Sequence, residues 1–445
     1  MRAFKIIVSV LLTLLSLALV AFAGFFLWGA LPKKEAAEPP AVLDTDAIFA
    51  EEPEEPPVPA EEPALPAVEP DIPAEVPDEP EPAAEAPTEE PPEDTAEEEA
   101  AAKAQAWLDS MSLEEKVWQL FITTPESLTG YPRVTLAGDA TKAAITEKPV
   151  GGLCYFAANL VDREQTLSLL GNVQTYAKTK LFLCVDEEGG LVSRAGSNEA
   201  LGVTHFEAAQ VYGQRADMAE VYNVGKTMAQ ELGELGFNLD FAPVADVITN
   251  PNNTEIGSRS YSKDPAVAAA MVSAMVEGLQ RNGMISCLKH FPGHGSTETD
   301  SHEGKSVSTR TLDELRETEW LPFETGIAKG VAFVMVSHLT NENLSNLPAD
   351  LSPEVMGYLR DELGFAGIII TDSHQMGAIT SYYTSGEATV LALQAGVDMV
   401  LMPEDLEASH QAVLDAIENG TLTEARINES VLRILTVKYQ FGILE

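Results

Sequence analysis

The sequence predicts an α/β protein: a single (β/α)8 barrel of the TIM type, preceded by an N-terminal transmembrane anchor and a disordered acidic linker. Short apolar runs alternate with stretches of helical periodicity over roughly 340 residues, an order typical of a parallel sheet covered by helices. There are about eight such runs, the number that closes a barrel. Several runs end on a polar residue able to do chemistry, and the carboxyl ends of barrel strands share one mouth.

The N-terminal segment 6–31 is an apolar run of about 26 residues, and about 20 suffice to cross a membrane. Basic residues flank it on both sides. Ala21-Phe22-Ala23 resembles the cleavage site of a signal peptide. The run continues through Trp28, however, which favours an uncleaved anchor over residues 1–34. In either case we expect the rest of the chain outside the cytoplasm, anchored to the membrane or secreted.

Residues 35–100 differ in composition from everything that follows. They contain 24 acidic side chains, no Lys or Arg, and 16 of the 28 prolines. Such a segment buries too little apolar surface to fold, so it predicts an extended, disordered spacer. The chain carries a net charge of −43, and beyond this spacer and the anchor it still has 46 acidic against 23 basic residues. This balance argues against nucleic acid as a partner.

The folded domain is predicted to span residues 101–445. The predicted strands are 117–123, 150–156, 181–186, 238–244, 285–290, 332–338, 367–372 and 398–402. Helical periodicity covers 217–236, 264–283, 312–330, 386–396 and 423–439. The first strand is ambiguous, because 117–123 could also continue the helix that begins at Leu113. The three cysteines lie inside apolar runs, which predicts buried free thiols.

The stretch KHFPGHGSTETDSH, residues 289–302, holds three of the seven histidines. His290 and His294 have the i, i+4 spacing of helical metal ligands, but the intervening Phe-Pro-Gly opposes a helix. A phosphate loop would need a Lys-Ser/Thr pair that is absent here. The third interpretation pairs Asp300 with His302: a carboxylate on one ring nitrogen fixes the tautomer and raises the basicity of the other, which gives a general acid/base.

This stretch resembles the KHFPGHG…DSH signature of glycoside hydrolase family 3, in its β-N-acetylhexosaminidase branch. The resemblance runs from about Met111 to the end and includes VDEEGGLVSR, NLDFAPVADV, IGSRSYSKDP and LGFAGIIITDSHQMGAI. It implies the same (β/α)8 barrel that the pattern of strands and helices predicts. We expect no room for the second domain that many β-glucosidases of the family carry. No metal or organic cofactor is implied.

The resemblance also implies roles for individual residues. Asp372 falls where the family places its nucleophile, and His302, oriented by Asp300, would be the acid/base. The residues implied to contact the sugar are Asp186, Arg194, Arg259, Lys289 and His290. A carboxylate nucleophile at a strand end can form a covalent glycosyl-enzyme.

Two positions depart from the family pattern. Leu191 stands where the family commonly has Arg, and His374 where it often has an apolar residue. His374 could line the pocket, carry a proton, or point away, and the last of these is favoured. Glu187 and Glu188 could suggest paired-carboxylate catalysis, but hydrogen bonding between strand and loop is the preferred interpretation.

The resemblance implies a retaining exo-β-N-acetylhexosaminidase acting on a carbohydrate substrate. An anchor and a long spacer suit peptidoglycan fragments in the cell wall as substrate, with chitooligosaccharides as the second choice. Three alternatives stay open: a β-glucosidase or xylosidase, a phosphorylase of the same family, and an anchored sugar-binding protein without activity.

Overall fold

The computed structural model describes residues 93–297 and 306–445, with side chains from residue 97 onward. Eight buried strands form its centre, and all pair in parallel. They are β1 (Phe121–Thr123), β2 (Gly152–Cys154), β3 (Phe182–Val185), β4 (Leu239–Asp240), β5 (Ile285–Phe291), β6 (Phe333–Val336), β7 (Ile368–Thr371) and β8 (Val400–Leu401). Each lies within or next to a predicted run, so the prediction of eight strands is confirmed.

The sheet is a nearly closed barrel, consistent with the TIM type. Neighbours follow chain order from β1 to β7, and β8 pairs with β1. Ile370 of β7 bridges to Met399, just before β8, which brings the two edges of the sheet together. Gly151 and Gly152 allow β2 to pass close to its neighbours, since a Cβ on Gly151 would lie 2.2 Å from the carbonyl oxygen of Gln119. These contacts explain the two glycines near the start of the second apolar run.

Helices occupy most of the connections between strands. Their bounds are α1 (Glu93–Asp109), α2 (Leu113–Trp118), α3 (Pro125–Thr129), α4 (Asp139–Glu147), α5 (Arg163–Tyr176), α6 (Ala209–Arg215), α7 (Met218–Leu235), α8 (Pro265–Gln280), α9 (Leu312–Glu314), α10 (Leu321–Ala328), α11 (Pro353–Gly357), α12 (Gly377–Thr380), α13 (Ser385–Ala395), α14 (Leu406–Glu418) and α15 (Glu424–Gln440). The predicted helix 312–330 is interrupted by a π-helical turn, Leu315–Glu319. Pro322 follows in the first turn of α10, where its missing N–H costs no helical hydrogen bond.

The start of the domain resolves one ambiguity and moves one boundary. The capping box of Ser112 and Glu115 begins α2, which ends at Trp118, so the run 117–123 contains a helix end followed by β1. Helix α1 begins at Glu93, inside the predicted linker 35–100. Alanine and glutamate favour helices, and Ala104 and Leu108 of α1 bury their side chains in the core.

The predicted anchor 1–34 and most of the linker lie outside the described residues. Among the residues that the structure does describe, no helix combines the length and the apolar character needed to cross a membrane.

The two ends of the barrel differ in chemistry. At the carboxyl ends of the strands lie the polar residues that the sequence singled out, including Asp186, Lys289 and Asp372. At the opposite end, Lys438 of α15 enters the core and donates a hydrogen bond to Oε1 of Gln119, 2.9 Å away, just before β1. The strands themselves hold the three cysteines, which are buried and free as predicted.

Candidate active site

A cavity of about 450 Å³ opens where the carboxyl ends of the strands meet. Six of the eight predicted site residues line it: Asp186, Arg194, Arg259, Lys289, His290 and Asp372. The remaining lining mixes apolar side chains, among them Phe156, Phe241 and Met376, with the carboxylates of Glu188 and Glu255. Such a pocket can hold a small polar ligand by combining apolar contacts with charged hydrogen bonds.

An ion-pair network forms one wall of the pocket. The Nζ of Lys289 lies 2.8 Å from Oδ1 of Asp186 and 2.6 Å from Oε1 of Glu188. Arg259 contacts both oxygens of Glu188, with Nε 2.8 Å from Oε2 and Nη2 2.9 Å from Oε1. Burial by itself raises the pKa of Glu188, but Lys289 and Arg259 lower it to about 2. Glu188, Lys289 and Arg259 are therefore charged at neutral pH.

Glu187 and Glu188 have different roles, although they are adjacent. Glu187 accepts hydrogen bonds from the hydroxyl of Ser193 and the backbone N–H of Ala195, so it closes the hairpin formed by Glu187–Gly189 and Val192–Ser193, as the sequence predicted. Glu188 also makes hydrogen bonds, with Arg259 in a loop and Lys289 in β5, but it makes them from the wall of the pocket. In an extended chain, residues two apart share a face, so Glu188 follows Asp186 into the pocket.

Arg194 stands on the other side of Asp186, with Nη2 3.9 Å from Oδ2 of that carboxylate. Its guanidinium carbon lies 5.6 Å from the ring centre of Phe156. The buried Nε has no hydrogen-bond partner among the described residues. A buried donor of this kind is costly unless a ligand or water accepts from it, which makes Arg194 a suitable binding residue.

Asp246 fixes the turn that follows β5. Its Oδ2 lies 2.7 Å from Nδ1 of His290, and its Oδ1 accepts from the backbone N–H of His294 at 2.7 Å. Burial raises the pKa of Asp246, but the two histidines outweigh burial and the net shift is downward. The other His290 nitrogen, Nε2, lies 3.4 Å from Nη2 of Arg259, so Asp246 orients His290 toward the pocket. Sequence reasoning missed Asp246, although it lies within the motif NLDFAPVADV.

Glycines in the motif 289–302 serve close packing. A Cβ on Gly295 would lie 1.9 Å from the carbonyl oxygen of Val247, and Gly293 has a φ of +121°. The ring of His294 contacts Thr297 Oγ1 at 3.0 Å instead of pairing with His290. The helical metal-ligand arrangement considered for the two histidines is therefore not formed.

Asp372 comes directly after β7 and is partly exposed to the pocket. Its Oδ1 accepts a hydrogen bond from the backbone N–H of Ser373 at 2.7 Å. Burial raises the pKa of Asp372, but His290, His338, the Ser373 N–H and Lys289 lower it below its ordinary value. An ionised carboxylate at the mouth of a barrel is able to attack an electrophilic carbon.

Asp300 and His302 lie outside the described residues, so the predicted acid/base pair stays a prediction. The hydroxyls of Ser296 and Ser308, on either side of the undescribed stretch, lie 2.8 Å apart. Thr297 is the last described residue before this stretch, and its Oγ1 lies 3.2 Å from Nδ2 of Asn253. Asn253 is close in sequence to the pocket residue Glu255.

His374 does not line the pocket. It is fully buried, and its Nε2 lies 2.9 Å from Oδ2 of Asp350. Leu191, the other departure from the family pattern, is the exposed tip of the hairpin beside Asp186.

Comparisons with known proteins show which family this chain resembles. The family model described as "Glycosyl hydrolase family 3 N terminal domain" matches residues 112–437. Beta-hexosaminidase A of Pseudoalteromonas piscicida is 32% identical over 323 residues, which cover 66% of this chain and 54% of that protein. Beta-hexosaminidase LpqI of Mycobacterium tuberculosis is 34% identical over 316 residues, which cover 68% of this chain and 79% of that protein.

Among solved structures, the glycoside hydrolase family 3 β-N-acetylglucosaminidase of a Paenibacillus species superimposes with a TM-score of 0.70 at 35% identity. The match covers 75% of this chain and 63% of that one. This chain thus spans only a little over half of the P. piscicida protein and under two thirds of the Paenibacillus chain.

Proposed function

Since the chain belongs to glycosyl hydrolase family 3, we propose that it is a retaining exo-β-N-acetylhexosaminidase that removes terminal β-linked N-acetylglucosamine. The observation that carries the proposal is Asp372, a carboxylate with a lowered pKa that faces a small pocket beside charged hydrogen-bonding groups. The names of the similar proteins support the same choice of reaction and sugar.

The proposed reaction has two steps. The Asp372 carboxylate attacks the anomeric carbon, and the bond to the leaving oxygen breaks as His302 donates a proton to that oxygen. His302, now a base held by Asp300, then takes a proton from water, which attacks the glycosyl-Asp372 ester and releases the sugar with its β configuration retained.

The pocket wall would recognise the sugar hydroxyls. Lys289 is held by ion pairs with Asp186 and Glu188, and Arg259 by its ion pair with Glu188, so little reorganisation accompanies binding. A ligand that lacked a matching hydroxyl would leave these charged groups unpaired, and this discriminates strongly between sugars. The volume of about 450 Å³ suits one or two sugar rings at a chain end rather than the middle of a polysaccharide.

We further propose that peptidoglycan fragments are the substrate, with chitooligosaccharides as the second choice. The apolar segment 6–31 would hold the protein at the outer face of a membrane. The acidic residues before α1, 35–92, could extend about 170 Å toward the cell wall at roughly 3 Å per residue. Fractionation of cells producing the full-length chain tests the location: recovery of all the protein in the cytoplasmic fraction would contradict it.

The first experiment is turnover of 4-nitrophenyl β-N-acetylglucosaminide and of the matching glucoside by the full-length protein. We expect release of nitrophenol from the first substrate and its loss in Asp372→Ala. His302→Ala should give a burst of nitrophenol followed by slow turnover, because this leaving group needs no acid whereas the second step needs a base. The matched control is Glu255→Gln, which changes a second carboxylate of the pocket. This variant should show no burst of nitrophenol.

Other outcomes identify the alternatives. Preference for the glucoside would indicate a β-glucosidase. Formation of sugar 1-phosphate that depends on added phosphate would indicate a phosphorylase. A wild-type protein inert on both glycosides, yet retained on immobilised N-acetylglucosamine, would indicate a binding protein.

A further inference from the structure

A buried cluster of three ionisable residues lies directly behind the candidate nucleophile. His338 comes two residues after β6, Asp350 lies in the short turn Ala349–Leu351, and His374 comes two residues after Asp372. All three side chains are fully buried, and none lines the pocket. Oδ2 of Asp350 contacts both imidazoles: Nδ1 of His338 at 3.1 Å and Nε2 of His374 at 2.9 Å.

The contacts of His338 determine its protonation. Its Nε2 lies 2.8 Å from the carbonyl oxygen of Ser373, and a carbonyl oxygen can only accept, so Nε2 carries a proton. Its Nδ1 lies 3.1 Å from Oδ2 of Asp350, at ion-pair distance but outside hydrogen-bond geometry. An unprotonated Nδ1 would set its lone pair against an ionised carboxylate oxygen at this distance, so the contact favours a second proton on Nδ1. With both nitrogens protonated, the ring is an imidazolium.

Only one ring nitrogen of His374 lies beside an acceptor in the part of the chain that the structure describes. Its Nε2 donates to Asp350, but its Nδ1 has no hydrogen-bond partner among the residues that the structure describes. One donated proton satisfies the contact, and burial lowers the pKa of His374. The cluster therefore contains one positive and one negative charge, which compensate each other inside the fold.

The electrostatics of the site agree with this assignment. Burial alone would lower the pKa of His338, but the adjacent Asp350 carboxylate raises it to about 9. The groups that face His338 are Asp350, the Ser373 carbonyl, His374 and Asp372, and Tyr383 interacts electrostatically with Asp350.

His338 reaches the candidate nucleophile through the backbone of Ser373. The carbonyl of Ser373 accepts from His338, and the N–H of the same residue donates to Oδ1 of Asp372. We infer that His338 is a permanently protonated positioning residue, which fixes the Ser373 backbone and places a buried positive charge behind Asp372. This inference rests on the proposed role of Asp372 as nucleophile.

A bound metal is the competing explanation for two histidines and one aspartate whose ligand atoms lie within 4.8 Å of one another. A metal would take the lone pair of Nδ1 in His338 and so displace the proton there. The metal would leave a net positive charge in a site without solvent, whereas the imidazolium–carboxylate pair is neutral overall. The second arrangement has the smaller desolvation cost, and we adopt it.

The test combines NMR with kinetics on the full-length protein. In ¹⁵N-histidine-labelled protein at pH 7.5, the ring that disappears in His338→Gln should show both nitrogens protonated. In kinetics on 4-nitrophenyl β-N-acetylglucosaminide, His338→Gln should move the acid limb of kcat/KM upward by about one pH unit, because a nearby opposite charge lowers a carboxyl pKa by 1–3. The matched control is His410→Gln, at a buried histidine of α14 that stacks on Trp118. This variant should leave the acid limb in place.

A second variant guards against misfolding. In His338→Gln/Asp350→Asn the two amides can replace the ion pair by neutral hydrogen bonds, so the protein should recover thermal stability while the acid limb stays shifted. A merely structural role predicts recovery of both properties, and that result would overturn the inference.

The remaining outcomes are also decisive. A neutral His338 ring in active wild-type protein refutes the inference and leaves the proposed function standing. Stoichiometric metal that persists through dialysis and is lost from His338→Gln refutes it in favour of the metal. A wild-type protein without glycosidase activity removes the proposed function and the positioning role together, whereas the charge state would still be read from the NMR spectrum.

Discussion

Lys438 gives the sharpest prediction about stability. Its ammonium group is fully buried at the amino-terminal end of the barrel, 4.8 Å from the ring centre of Phe182 and hydrogen-bonded to Gln119. Burial is the main cause that lowers the pKa of Lys438 from its ordinary value of 10.5 to about 7. One pKa unit corresponds to about 1.4 kcal/mol, so a charged Lys438 destabilises the fold by about 5 kcal/mol.

The sign of the pH dependence follows from where the proton binds. Below pH 7 the lysine is protonated in the folded and the unfolded chain, and the full cost applies. Between pH 7 and 10.5 only the unfolded chain holds the proton, so stability rises with pH. Above pH 10.5 both states are neutral and the cost disappears.

Replacing Lys438 by Met keeps the apolar stem and removes the ammonium. The change leaves Oε1 of Gln119 without its donor, which costs about 1–2 kcal/mol. We therefore expect Lys438→Met to be more stable than wild type by about 3 kcal/mol at pH 6, which is a rise in Tm of several degrees. This advantage should vanish by pH 10.

Thermal unfolding at a fixed scan rate, between pH 6 and pH 10, measures this difference. Lys263→Met, at an exposed lysine, is the control and should track wild type at every pH. A difference between Lys438→Met and wild type that stayed constant with pH would refute the reasoning, as would a variant less stable throughout.

Three further predictions concern the pocket and its support. Arg194→Ala should raise KM for the aryl glycoside about tenfold in steady-state assays, because a charged hydrogen bond contributes roughly 1.5–3 kcal/mol to binding; an unchanged KM would remove Arg194 from the site. Asp398→Ala should lower the free energy of unfolding by about 3–5 kcal/mol in denaturant titrations, since this buried carboxylate holds Arg360, Arg433 and Ser430. Gly295→Ala should abolish activity and lower Tm, whereas Gly171→Ala, which meets no atom within 4 Å, should do neither.

The sequence allowed the strands and one side of the site to be predicted, because both depend on local pattern. Buried parallel strands are continuous apolar runs, and the residue that ends each run must lie at the mouth of the barrel. Asp186, Lys289 and Asp372 could be placed in this way without knowledge of any contact between them.

Other features depend on register between strands, which no local pattern carries. Asp246 meets His290 because Val244 bridges to Lys289 and the N–H of Ala245 donates to the Lys289 carbonyl. Glu188, by contrast, could have been predicted from the local sequence. Residues two apart in an extended chain lie on the same face, so Glu188 shares the face of Asp186. The buried cluster of His338, Asp350 and His374 joins the connection after β6 to the connection after β7, and only the folded chain shows it.

The three free cysteines have a practical consequence for studying how this barrel opens. Cys154, Cys184 and Cys287 lie on β2, β3 and β5, and burial is the main cause that raises the pKa of each thiol. Native protein should therefore resist thiol reagents, since the thiolate is the reactive form. Slow labelling of each cysteine would then time the opening of its own strand, so the chain carries three built-in reporters of barrel dynamics.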